Sequence, residues 1–219
     1  MMSLLLAAIA AYGFAQTVPG DIGAPGFPVL LWVHGGVFLT WVLLFVAQPV
    51  LIMRRSFRWH RRLGWFGVGL AVAMVLLGGS AVILALLAHA LPPFYPPGLF
   101  LVRGVLALAM FAGLMIAAVV LRRRGDWHKR LMLCASILVI VPGLERALPV
   151  PSFGPHWWYK VDALVVAIAL IGPAFDLVQL RRLHPAYLWG VGAIVLGQVV
   201  TDILAPSGIV AELVKAMGA

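Results

Sequence analysis

Six ionisable side chains that lipid does not tolerate alone stand inside or at the edges of long apolar runs: His34, Arg103, Glu145, Arg146, Asp162 and Asp202. A charge near the centre of a bilayer costs about 2.5–3.5 kcal/mol on insertion scales, so each of these groups needs a partner or a task. Two guanidiniums face three carboxylates, with His34 able to tip the balance. As an outer polar pocket, the arginines suit an anionic ligand, and the carboxylates with His34 suit a proton relay. The same groups can instead pair across helices and hold a bundle in register, at about 1 kcal/mol or less each. A second, inner set is His60, His128 and His184, with Gln48 and Asp176 reaching toward it. Neutral imidazole is the commonest protein ligand for zinc, copper and iron, so three histidines at one depth suit a metal. Against that, each lies beside basic residues at a helix start, where it can cap a helix or meet headgroups, and no HxxxH or HExxH pair puts two ligands on one helix face. His89 and His156 fall at the outer rim and read as interfacial. The one cysteine, Cys134, has no partner, which excludes a disulfide or a CxxC centre within the chain.

The elements that must position these groups follow from composition. The 219 residues are 63% hydrophobic and 11% charged, with mean hydropathy +1.07. A soluble domain carries about 25% charged residues, so lipid is the solvent for most of this surface. The apolar runs are continuous rather than alternating, which selects helices over a barrel. The expected fold is an all-α, polytopic transmembrane helix bundle. Its six spans lie near 28–53, 63–90, 99–121, 131–149, 158–180 and 187–206, arranged as three helical hairpins within 26–206. Residues 207–219 are left as a short external tail. Residues 1–25 are a signal-like or interfacial segment: Gly13-Phe14-Ala15 is a tolerable cleavage site, but the positive n-region of a signal peptide is missing.

Three connections, from Arg54 to Arg62, Arg122 to Arg130 and Arg181 to Ala186, carry five, five and two of the sixteen Lys and Arg residues. The connections from Leu91 to Gly98 and from Val150 to Trp157 carry none. By the positive-inside rule the basic loops are cytoplasmic and both termini are outside, in a bacterial-type inner membrane. Basic loops also attract anionic headgroups, which accounts for the net charge of +9 without nucleic acid. At 1.5 Å per residue the first polar set lies within roughly 10 Å of the outer helix ends, and the two sets are about 20 Å apart. His34, Trp41 and Gln48 recur at seven-residue steps, so they share one face of the first span. Asp162 and Asp176 have the same relation on the fifth. Pro142-Gly143 and Gly172-Pro173 interrupt the fourth and fifth spans, where main-chain groups can line a cavity.

The strings His60-Arg61-Arg62-Leu63-Gly64-Trp65 and His128-Lys129-Arg130-Leu131-Met132-Leu133 resemble motifs of uncharacterised bacterial multi-pass membrane proteins. That family is itself loosely similar to b-type cytochromes, helical bundles with histidine-ligated haem. The resemblance covers residues 30–146. It implies haem b as cofactor, with His60 and His128 as an inner axial pair and His34 on the outer side.

Three function classes stay open. One is a cofactor- or ligand-binding membrane protein, with haem and transmembrane electron transfer as its sharpest form. A second is a small proton- or anion-coupled transporter. The third is a non-catalytic assembly or scaffold subunit with a protein partner or a second copy of itself. An enzyme is the weakest reading, because the chain lacks a nucleophile elbow, a P-loop and a dinucleotide fingerprint.

Overall fold

The computed structural model describes residues 2–21 and 29–218. Among them there is no strand. The helices are α1 (Met2–Asp21), α2 (Val29–Met53), α3 (Phe57–Leu87), α4 (Pro97–Val120), α5 (Gly125–Ala147), α6 (Trp157–Leu180), α7 (Ala186–Leu204) and α8 (Gly208–Ala216), with a 3-10 turn at Val150–Phe153 before α6. Five of them, α2, α3, α4, α6 and α7, are long and apolar enough to cross a membrane. Their outward faces are apolar, as at Leu39, Leu76, Ile116, Phe175 and Leu196, which is the surface a multi-pass membrane protein presents to lipid.

The helix starts differ from the sequence expectation in one way that matters for the site. The second predicted span begins six residues earlier, at Phe57, so His60 lies inside the first turns of α3. The chain turns between α2 and α3 in Arg54, Arg55 and Ser56 alone, with Arg55 in the left-handed region at φ 55°. Arg and Trp are good or tolerable helix formers whose long side chains reach water from a helix end, so the basic run 57–62 continues the helix rather than looping. For the same reason His128 sits in the first turn of α5.

α5 occupies the centre. It packs against α1, α4, α6 and α7, and an unbroken run from Cys134 to Ile140 is buried. It is long enough to span but carries Asp126, Lys129, Arg130, Glu145 and Arg146 near its ends, so its polarity is hidden by neighbours instead of being diluted by lipid-facing residues. Close approach is enabled by small residues. A Cβ on Gly190 of α7 would collide with the Cys134 side chain.

α1 packs along α5 in the same direction. Leu6 and Ala7 lie level with Ser136, Val139 and Ile140; Gly13 meets Gly143 backbone to backbone; and Phe14 lies under Arg146. A Cβ on Gly143 would lie 3.0 Å from the Ala10 Cα, so these two helices touch through their main chains. Leu6 is 1% exposed. The stretch set apart in the sequence as signal-like is therefore integrated into the core, while residues 22–28, expected to lie outside the membrane, fall outside the described residues. At the other terminus, α8 folds back. Ser207 caps it by accepting from the Val210 N–H at 3.4 Å, and Val210 and Val214 pack with Leu86, Leu101 and Val102.

Candidate functional site

The two ends of the bundle differ, one carrying the basic connections and the other the proline- and aromatic-rich ones. At the aromatic end, Arg103 of α4 is the hub of an ion-pair network. Its Nη1 lies 2.8 Å from Asp162 Oδ1 on α6, and its Nε lies 3.2 Å from Glu145 Oε1 on α5. All three side chains are largely buried. Gln198 of α7 donates to the Asp162 main-chain carbonyl at 3.2 Å. Asp202, one turn further along α7, lies within electrostatic reach of Asp162. Its Oδ1 is buried without a hydrogen-bond partner among the described residues.

An aromatic lid covers this network. Tyr95 stacks edge-on against Trp157 at 4.9 Å and Phe100 at 5.2 Å, and the Trp157 indole N–H donates to the Phe94 carbonyl at 3.2 Å. Burial, reinforced by the Glu145 carboxylate, pushes the Tyr95 phenol well above its ordinary range, so it keeps its proton. The sequence marked Tyr95 only as interfacial. Its proximity to Arg103 and Glu145 depends on the Pro92–Pro97 connection turning back over the bundle.

Glu145 and Arg146, adjacent in sequence, point to different neighbours as their 100° offset requires. Arg146 donates to the Pro142 carbonyl at 3.0 Å, its guanidinium lies 4.9 Å over the Phe14 ring, and it is within electrostatic reach of His34 on α2. The outer set is thus two groups on different faces of α5. Arg103, Glu145 and Asp162, with Asp202 beside them, form one; Arg146 and His34 form the other.

At the basic end the four inner residues also separate. His184 Nε2 lies 2.8 Å from Asp126 Oδ2, and His184 Nδ1 accepts from the Ala186 N–H at 3.2 Å. An acceptor Nδ1 puts the ring proton on Nε2, so His184 donates to Asp126 and ties the start of α7 to the start of α5. That hydrogen bond holds the exposed Asp126 carboxyl below the usual carboxylate range. Asp176 of α6 pairs with Arg130 of α5, whose Nε lies 2.7 Å from Asp176 Oδ2. Arg130 Nη1 also donates to the Asp126 carbonyl at 2.7 Å. Sequence reasoning counted Arg130 as a loop cation. Its helical position one turn into α5 turns it inward.

His60 and His128 do come together. Their ring centroids are 6.4 Å apart with planes at 90°. His128 Nδ1 donates to the Ala118 carbonyl of α4 at 2.9 Å, which leaves Nε2 with its lone pair in the neutral ring. His60 faces the Gln48 main-chain carbonyl, and its Nδ1 is buried with no partner among the described residues, as are both polar atoms of the Gln48 side chain. Among the described residues no group of three or more His, Cys, Asp or Glu is placed to hold a metal ion. Any ion at this end would have two histidines, not the three drawn from the sequence, and neither His184 nor Asp176 joins them.

Compared with protein-family models, curated proteins and solved structures, the chain matches none.

Proposed function

We propose that the chain is a seven-span protein of a bacterial-type inner membrane whose basic end holds an iron, copper or zinc ion between His60 and His128. The observation that carries the ligand reading is the state of the two rings. His128 has one nitrogen hydrogen-bonded to the Ala118 carbonyl, and the His60 ring lies beside the Gln48 main chain with its Nδ1 unpartnered among the described residues. Hydrogen bonding of that kind fixes a metal-binding imidazole and leaves its other nitrogen to ligate. With ring centroids 6.4 Å apart, the pair would hold one ion between them. The form implied by the sequence resemblance is haem iron. His60 and His128 would hold the group, and bound there it would supply one-electron chemistry near the cytoplasmic face.

The topology adds α1 to the six spans expected from sequence. α1 runs parallel to α5, so if the basic connections are cytoplasmic, α1 begins in the cytoplasm and the odd number of spans leaves the C-terminus outside. Its burial against Gly143 supports a helix retained in the working protein rather than a cleaved leader. Reporter fusions at the two termini should give opposite sides; reporters on the same side would refute the seven-span topology.

The test of the ligand reading is the absorption spectrum and metal content of the purified protein, with and without haem supplementation. A Soret band or one equivalent of metal that disappears in His128→Ala is expected. Absence of both from the wild-type protein overturns it. Arg103 is already engaged by two carboxylates, which supports a structural role for the aromatic-end network over anion transport.

A further inference from the structure

Eight buried side-chain atoms lack a hydrogen-bond partner among the described residues, and six of them follow one line. They are His34 Nδ1, Trp41 Nε1 and the two polar atoms of Gln48 on α2, Ser136 Oγ on α5, and His60 Nδ1 on α3. Orphaned polar atoms are rare in native proteins and point to water or a ligand. Here they recur along the face of α2 that carries His34, Trp41 and Gln48, over fourteen residues or about 21 Å of helix, from the aromatic end to the basic end.

Midway, a cavity of about 10 Å³ between α1, α2 and α5 is lined by Trp41, Phe45 and Ser136 among others. That is close to the room one water needs, and a buried water makes two to four hydrogen bonds. The indole N–H of Trp41 can donate to it, and Ser136 Oγ can accept from it. The Phe45 carbonyl, in the same wall, lacks its helical donor because Pro49 four residues on has no N–H to offer it.

We propose that this face is a proton path through the bundle, with a water held by Trp41 and Ser136 as its central station, His34 at the outer end and Gln48 at the inner end. In each step one O–H bond forms as another breaks. A protonated water hands a proton to Ser136 Oγ, the original hydroxyl hydrogen leaves to the next water, and the residue ends unchanged but reoriented. Trp41 only donates, so it positions the water and does not relay. Waters in passing bridge the intervals of about 10 Å between stations. Arg146 is the charged group facing His34 at the outer end, and the His60 ring lies beside Gln48 at the inner end. The path ends at Gln48, short of the histidine pair, so its failure leaves the ligand reading intact.

The experiment uses the full chain in proteoliposomes with a trapped pH dye, a clamped membrane potential and an imposed pH gradient. Wild-type protein should raise proton flux above that of protein-free vesicles. Ser136→Ala should cut the protein-dependent part by about a hundredfold, the lower end of what one positioned proton-transfer group contributes, and Ser136→Thr should restore it. Trp41→Phe should slow it while leaving the other two variants' ranking intact. Circular dichroism and detergent melting check folding. A dry, orphaned hydroxyl would make Ser136→Ala raise the melting temperature, whereas a hydrated one leaves it unchanged or lowers it. Wild-type flux equal to that of empty vesicles, Ser136→Ala flux equal to wild type, or a clear rise in melting temperature for Ser136→Ala each overturns the proposal.

Discussion

Arg130 of α5 holds Asp176 of α6 through its Nε and Nη2, 46 residues apart in sequence and both largely buried. The pair is backed by the Asp126 carbonyl and by the Tyr187 ring, 5.6 Å from the guanidinium carbon. Removing one partner therefore leaves a desolvated charge with nothing to replace it.

Asp176→Ala should destabilise the protein by about 3–5 kcal/mol, the range for breaking a buried pair from one side. Arg130→Met combined with Asp176→Leu should recover most of that loss, because it removes both charges. A double-mutant cycle on unfolding in detergent measures the coupling, and additive single effects would show that the pair contributes nothing.

Arg103 serves two carboxylates, whereas each carboxylate shares one arginine. Arg103→Ala should thus cost more stability than Glu145→Gln, by about 1–3 kcal/mol, since it strands two acids rather than freeing half of one guanidinium. Equal melting shifts for the two variants would show that Glu145 and Asp162 find protons or water without cost.

The α1–α5 contact has no room for a side chain at Gly13 or Gly143. Gly143→Val should lose about 1–3 kcal/mol, as overpacking does, and should expose α1 to protease. Gly192→Ala is the control, because a Cβ there meets nothing within 4 Å. Unaltered proteolysis of the Gly143 variant would argue against a docked α1.

Asp126 supplies a pH dependence with a definite sign. Its folded pKa is depressed by the His184 hydrogen bond, so its contribution is fully present above the unfolded carboxylate value of about 3.9 and is lost as pH falls through the lower folded value. Asp126→Asn should flatten the melting temperature against pH below about 4 and change little at neutrality. A parallel curve for the variant would place the acid sensitivity elsewhere.

Much of the bundle was legible because lipid imposes long apolar runs. The six runs read from sequence coincide with α2 to α7, and the outer residues Arg103, Glu145 and Asp162 meet because helix rise fixes depth before packing is known. Which of them touch was not legible. Depth does not fix azimuth, and Arg146 turns to Phe14 and His34 instead of to Arg103. His60 and His128 lie side by side, whereas His184 pairs with Asp126 across the starts of α7 and α5. α1 escaped the count because a sixteen-residue apolar stretch is short on its own. Contacts more than a hundred residues apart, Gly13 on Gly143 and Leu6 beside Ser136 and Ile140, make it part of the core, and no local signal links them.

The enclosure of α5 also constrains how the protein is made. The helix at the centre is the one least able to enter lipid unaided, and Asp176, which neutralises Arg130, emerges from the ribosome 46 residues after it. α1 and α4 are synthesised earlier and can shelter two of its flanks. The remaining flanks stay open until α6 and α7 arrive, so the second half of the chain must insert as a group, and a nascent protein halted after Ala147 would present an unpaired guanidinium to whatever machinery holds it.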